Sequence, residues 1–226
     1  MILAAGRGER MRPLTDTCPK PLLKVKGVPL IEYHIKNLAA ADVKNIVVNH
    51  AWLGDKLVDY LADGEKFAVN IQYSKEPTAL ETAGGIIKAL PLLAEQDDEV
   101  FIVVNGDVFC DFEFKNLPKL GDDANAHLIL VNNPDHNRKG DFQIHAGKLT
   151  NLNNKEQDTY TFSGIALYRK CFFKKYQTEI LAQHKVKPLA PMLRAGADAG
   201  EISASLISSA WTDVGTPERL AKLNSD

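Results

Sequence analysis

A loop rich in glycine and basic residues opens the chain, Leu3-Ala4-Ala5-Gly6-Arg7-Gly8-Glu9-Arg10-Met11-Arg12-Pro13-Leu14-Thr15, and Pro19-Lys20-Pro21-Leu22 follows it. Gly6 and Gly8 let backbone N–H groups come close to phosphate oxygens. Arg10 and Arg12 add forked donors that match such oxygens, and Lys20 stands between two prolines that favour an extended backbone. Residues 1–30 carry six basic side chains against two acidic ones, a net of +4 in a chain of net charge −2. A loop of this kind suits a compact polyphosphate. Neither common phosphate motif accounts for it: the dinucleotide fingerprint needs a third glycine where Met11 stands, and a Walker loop ends in Gly-Lys-Ser/Thr.

Two aspartates close expected strands, Asp107 in Val103-Val104-Asn105-Gly106-Asp107-Val108 and Asp213 in Trp211-Thr212-Asp213-Val214-Gly215. Ligands of open α/β sheets gather at the carboxyl ends of strands. Magnesium is commonly held by one or two carboxylates plus substrate phosphates, so Asp107 and Asp213 are candidate Mg²⁺ ligands. Each is also an ordinary turn aspartate by its neighbours. A third segment, Glu76-Pro77-Thr78-Ala79-Leu80-Glu81-Thr82-Ala83-Gly84-Gly85, is small and polar at a helix start. Its backbone around Glu81, Thr82 and Gly85 can receive a base or ribose, with Thr82 expected as N-cap. The histidines at 34, 50, 127, 136, 145 and 184 show no paired ligand spacing, so no zinc site is expected. Ser163 lacks the first glycine of a hydrolase elbow.

These groups need a scaffold, and the hydrophobic pattern supplies one. Ile46–Val48, Val69–Tyr73 and Val100–Val104 read as strands, the first and last apolar enough to be buried on both faces. Between them, Ile31, His34, Ile35 and Leu38 mark one helix after Pro29, Leu53, Leu57 and Leu61 a second, and Ile86, Ile87, Leu90 and Leu93 a third from about Thr82. Gly84 and Gly85 weaken that third helix, which implies close approach by another group. Strands and helices in alternation predict an α/β fold with a Rossmann-like, mostly parallel sheet. Ala126–Val131, Phe142–Ile144, Lys148–Leu152 and Tyr160–Tyr168 read as antiparallel additions. A last helix starts at Thr216 with Pro217 at its first position, and Leu220 and Leu223 face inward.

The chain has 226 residues, 45% of them hydrophobic, enough for one sizeable core, and no linker divides it, so a single domain over 1–226 is expected. With 27 Lys and Arg against 29 Asp and Glu it lacks the field that would hold nucleic acid. No apolar run is long enough to cross a bilayer, and three cysteines without CxxC spacing argue for a reducing cytoplasm, with a monomer or weak oligomer expected.

The motif Leu-Ala-x-Gly-x-Gly-x-Arg-x-x-Pro-Leu-Thr with Pro-Lys-Pro resembles that of the sugar-1-phosphate nucleotidyltransferase family, and the likeness runs through nearly the whole chain. It implies attack by a sugar 1-phosphate on the α-phosphorus of a nucleoside triphosphate, with pyrophosphate released. By this resemblance Arg10 holds the leaving phosphates, Lys20 stabilises the α-phosphate, and Asp107 with Asp213 carries Mg²⁺. Ala4, Ala5 and Gly6 would meet the base, and Asn105, Gly140, Asp141 and Ser163 the sugar. Within the family, Asn49–Gly54, Leu80–Ile86, Val104–Val108 and Thr161–Ile165 look most like the uridylyltransferases of cell-wall recycling, which implies UTP as donor and a muramate sugar phosphate as acceptor. Glu81 stands where many relatives carry glycine, and Lys155-Glu156-Gln157 where they carry Glu-Lys-Pro. A mannose- or glucose-1-phosphate enzyme using GTP, UTP or dTTP is the alternative within the class, and a catalytically silent nucleotide-sugar sensor the alternative outside it. An oxidoreductase is disfavoured by Met11. No second activity is expected, because the sequence lacks the hexapeptide β-helix that some relatives use for acetyl transfer or oligomerisation.

Overall fold

A computed structural model describes residues 1–183 and 186–225, so His184 lies outside the described residues. The strands are β1 (Ile2–Leu3), β2 (Lys24–Val25), β3 (Val28–Pro29), β4 (Asn45–His50), β5 (Asn70–Lys75), β6 (Val100–Asn105), β7 (Val108–Cys110), β8 (Ala126–Val131), β9 (Gln143–His145), β10 (Lys148–Thr150), β11 (Thr161–Arg169), β12 (Ile202–Ile207) and β13 (Trp211–Asp213). The α-helices are α1 (Leu30–Ala40), α2 (Gly54–Leu61), α3 (Glu81–Leu93), α4 (Lys170–Gln183), α5 (Ala190–Asp198) and α6 (Pro217–Ser225). Nine strands form one sheet in the order β5-β4-β1-β6-β11-β8-β12-β10-β9, and β13 pairs with β7 in a separate ribbon.

The first four strands of that order run parallel, as their apolar sequences imply. β11 then runs antiparallel to both β6 and β8, and β10 antiparallel to β9 and β12, so the added strands behave as expected; β12, parallel to β8, is the exception. After β1 the chain moves to one side of it for β4 and β5, then returns to the other side for β6. That reversal opens a crevice at the carboxyl ends of β1 and β6. Register places Asn49, Leu3 and Asn105 in one row along this edge.

Alternating residues feed a core on each face. Met1, Val47 and Val103 pack with α3, α4 and α5, whereas Ile2, Val48 and Val104 pack with α1 and α2. A third, smaller cluster joins Met11, Leu23, Val25 and Leu30 to Val214 and Leu220 of the carboxyl terminus. Met11, the residue that breaks the dinucleotide motif, is thus a fully buried anchor for the glycine loop.

Two details of the helices differ from expectation. Leu53 precedes α2 with φ of 50° and is not buried, so only Leu57 and Leu61 face the core. Thr82 lies inside α3; Leu80 precedes the helix and no side chain caps it. The Thr216 hydroxyl does meet the Arg219 N–H at 3.4 Å at the start of α6. Cys18, Cys110 and Cys171 are free thiols, and no described helix is long and apolar enough to cross a membrane.

His34 on α1 is buried against the Phe114 ring, 6.5 Å between centroids, and burial lowers its pKa from 6.5 to about 4. The unfolded chain takes up this proton at the ordinary pH and the folded chain does not, so stability falls as pH drops from 6.5 toward 4, by on the order of 1 kcal/mol per pH unit. Thermal melts between pH 7 and 4 should show that decline, and His34→Leu should make it shallower whatever its stability at neutral pH.

Candidate active site

The crevice at the carboxyl edge divides into three connected lobes. The largest, about 390 Å³, is lined by Leu3 to Arg7, Lys20, Asn49, Glu76, Glu81, Thr82, Asn105 and Asp107, among others. A second, about 320 Å³, shares Glu81, Thr82 and Asn105 with it and adds Asp141, Phe142, Phe162, Leu189, Leu193 and Arg194. A third, about 240 Å³, shares Gly6, Lys20 and Asp107 and adds Gly8, Glu9, Arg10, Met11 and Gly215. The first lobe touches both others.

Lys20 sits at the seam between the first and third lobes. Its side chain is only 9% exposed, and its ammonium donates to Asp107 Oδ2 at 2.6 Å. The prolines do not hold it extended as expected: Leu22 and Leu23 N–H groups close on the Pro19 and Lys20 carbonyls, so Lys20 opens a tight 3-10 turn that aims its side chain inward. Arg10 lines the third lobe, exposed and without an ion-pair partner among the described residues. Arg12 departs from expectation. It bonds Asp16 at 2.7 Å, reaches Glu9 at 3.7 Å and lines none of the lobes. This pair holds the Asp16 carboxyl below its usual pKa, chiefly through the hydrogen bond from Arg12.

Asp107 and Asp213 are brought together through their backbones. Asp213 pairs with Val108 across β13 and β7, and the Val214 N–H donates to the Asp107 carbonyl at 2.9 Å. Their side chains part company. Asp107 faces the cleft beside Lys20, whereas Asp213 accepts from Arg219 Nη1 at 2.7 Å, with His136 Nε2 at 3.7 Å, and lines none of the lobes. Among the described residues no group of three or more metal-ligating side chains exists. Asp107, in the turn between β6 and β7 and open to the first and third lobes, can offer a carboxylate oxygen to a magnesium ion whose remaining ligands come from substrate and water, whereas Asp213 is engaged by Arg219.

The opposite wall is the start of α3. Glu81 has φ of 61°, a left-handed conformation that glycine adopts without strain, which explains why glycine is the easy residue there. The close approach expected at Gly84 and Gly85 proves, at Gly85, to be internal. A Cβ at Gly85 would lie 2.7 Å from Glu76 Oε1 and 2.8 Å from Asn49 Nδ2. Sequence reasoning missed both of these buried residues, since they are far apart in the chain and only the tight glycine hints at them.

Of the four residues associated with the sugar, Asn105 lines two lobes and Asp141 lines the second. Asp141 is anchored by the Phe162 N–H at 2.9 Å and by Asn137 at 3.1 Å. Gly140 is buried in the turn before it, and Ser163 is fully buried with its hydroxyl donating to the Ile129 carbonyl at 2.7 Å; neither lines a lobe. Register on β11 shifts between Phe162 and Ile165, where a Cβ at Gly164 would meet Asn105 Nδ2 at 2.6 Å. That bulge makes room for Asn105 to reach the cleft. Arg194 was not foreseen either. It lines the second lobe, 5.4 Å over the Phe142 ring, and its only sequence signal is a basic residue on an amphipathic helix.

The sequence profile of nucleotidyl transferases matches residues 1–226. The chain belongs to the nucleotidyl transferase family. This nucleotidyltransferase is 47% identical over 225 residues to the N-acetylmuramate alpha-1-phosphate uridylyltransferase of Neisseria meningitidis serogroup B, across 97% of this chain and 94% of that one. A mannose-1-phosphate guanyltransferase of Gibberella zeae is 30% identical over 224 residues, across 96% of this chain and 61% of that longer one. Among solved structures, a Bacillus anthracis protein described as a glucose-1-phosphate thymidylyltransferase superposes with a TM-score of 0.83 at 23% identity, covering 99% of this chain and 92% of the other. HddC from Yersinia pseudotuberculosis superposes with a TM-score of 0.77 at 22% identity, covering 99% and 96%. Identities this low speak for the fold, and the resemblance carried by the motifs is borne out at the level of the family.

The tight contact at Gly85 makes a prediction for the nucleotidyltransferase. Alanine ordinarily favours a helix interior over glycine by about 1 kcal/mol. Gly85→Ala should instead destabilise by about 1–3 kcal/mol, because its methyl drives into the Asn49–Glu76 contact. A lower denaturation midpoint checks this, and an unchanged or higher one would contradict it.

Proposed function

We propose that the protein transfers a uridylyl group from UTP to N-acetylmuramic acid α-1-phosphate, giving UDP-N-acetylmuramic acid and pyrophosphate, in the recycling of cell-wall sugars. The observation that carries the reading is the position of Lys20: one nearly buried ammonium stands where a lobe fit for a nucleoside and a lobe fit for terminal phosphates meet. The 47% identity to the Neisseria enzyme, over 97% of this chain, supports the choice of base and sugar.

Backbone groups of Ala4, Ala5 and Gly6 on one wall and of Glu81 and Thr82 on the other receive the uracil and ribose. Lys20 neutralises charge that builds on the α-phosphate, and N–H groups of Gly6 and Gly8 with the unpaired Arg10 hold the phosphates that depart. Asn105 and Asp141 bind sugar hydroxyls, and Gly140 and Ser163 shape the ground beneath them. Arg194, the cation of the second lobe, meets the acceptor's negative charge where a Glu-Lys-Pro lysine is missing. Asp107 with Asp213 would hold Mg²⁺, which when bound neutralises the phosphate charge during transfer. The acceptor phosphate oxyanion is itself the nucleophile, so alignment and charge neutralisation suffice and no base is required. Consumption of UTP and the unpaired thiols fit a cytoplasmic setting.

Pyrophosphate release should be measured with Mg²⁺ and UTP, GTP or dTTP against the 1-phosphates of N-acetylmuramic acid, N-acetylglucosamine, glucose and mannose. The expected result is a strong preference for UTP with the muramate sugar. Activity on another pair would move the substrate assignment, and silence of folded protein on every pair would favour a sensor. Asp107→Asn should lower kcat by about 10²–10³. It should also cost about 1–3 kcal/mol of stability, because Lys20 loses its charged partner. Turnover at the wild-type rate would remove Asp107 from the mechanism.

A further inference from the structure

Glu76 is a carboxylate that the transfer chemistry does not use, yet it is only 2% exposed and lines the largest lobe. Asn49, 3% exposed, lies against it. The Ala4 N–H donates to Asn49 Oδ1 at 2.9 Å, Asn49 Nδ2 donates to Glu76 Oε1 at 2.7 Å, and the Leu80 N–H donates to Glu76 Oε2 at 2.9 Å. The order of donors and acceptors admits one arrangement. Both backbone N–H groups can only donate, so the asparagine must turn its oxygen to Ala4 and its NH₂ to Glu76. Both oxygens of Glu76 then face donors. A glutamine in its place would set an NH₂ against one of them, leaving a buried donor unsatisfied. The tight contact at Gly85 leaves this pair no room to rearrange.

The two ends of the chain of bonds matter more than its middle. Ala4 to Gly6 and Glu81 to Thr82 line facing walls of the nucleotide lobe, and they belong to different elements, with β4 and β5 between them in sequence. We propose that Asn49 and Glu76 are positioning residues that fix the spacing of these walls, and through that spacing decide which base the lobe accepts. This deepens the reading of the cleft as a UTP site and rests on it. With the bracket intact, the wall after β1 and the wall at the start of α3 are held as one rigid slot, so a ring that fits it makes close contact on both sides. With either side chain removed, each wall keeps its own fold but not its distance from the other. The fitting ring loses contact, and a larger ring is no longer refused.

The test is base selectivity in folded variants. Asn49→Ala and Glu76→Gln should each raise the KM for UTP about tenfold with a smaller change in kcat, the size expected when one buried hydrogen bond is lost. The ratio of kcat/KM for UTP to that for GTP should fall by a similar factor. Because both residues act through one bracket, the double variant should be little worse than the worse single one. Circular dichroism and thermal melts establish folding, and Glu76→Gln, which preserves volume, stands alone if Asn49→Ala does not fold. Folded variants with an unchanged UTP-to-GTP ratio would overturn the proposal and leave the bracket a purely structural feature. If the wild-type protein prefers another nucleotide, the UTP reading fails while the same ratio, taken between preferred and disfavoured bases, still tests the bracket.

Discussion

Lys20 carries a charge into a place where water scarcely reaches it, and Asp107 is what makes that tolerable. An ammonium taken out of water without a partner costs several kcal/mol, so the 2.6 Å contact across 87 residues of sequence obliges the glycine loop and the end of β6 to meet. Most of the cleft is arranged around that obligation. The loop reaches Asp107 because β1 lies directly beside β6, and it stays in place because Met11 is buried against Val214 and Leu220 behind it. The charge is held ready by the fold rather than recruited from solvent, which is the condition under which electrostatic stabilisation is most effective.

On either side of this pair, neutral hydrogen bonds and packing do the aligning. The row Asn49, Leu3, Asn105 at the strand ends shows the division: the central residue leads into the glycine loop, while the two flanking amides have different surroundings. Asn49 is bonded on both of its faces, whereas Asn105 is given space by the bulge in β11. Asp213 is held by Arg219 and approached by His136, so the segment 132–140 and the last helix both bear on the same carboxylate.

What could be read from the sequence were features whose meaning is local. Strands β4 and β6 announce themselves by continuous apolar runs, α1 by its periodicity after Pro29, and the basic wall of the cleft by glycines and cations within a few residues of one another. Asp107 follows from the rule that strand ends collect ligands. The rest depends on partners distant in the chain. Nothing local distinguishes Arg10, which has no ion-pair partner among the described residues, from Arg12, which Asp16 captures one turn later. Nothing near Glu76 names Asn49, and Ser163 resembles a candidate contact until the backbone of Ile129 is seen to take its hydroxyl. The glycines of α3 were informative about crowding but silent about its source.

The placing of β1 has a consequence for how the protein comes into being. This strand is two residues long and is flanked by β4 on one side and β6 on the other, so it cannot be held before both neighbours exist. A ribosome delivers Lys20 of the glycine loop 87 residues before its partner Asp107, and well before the anchors Val214 and Leu220. The loop is therefore made well before its contacts can form. Until then the apolar flanks of β4 and β6 stand uncovered, as exposed surface does in any partly folded chain.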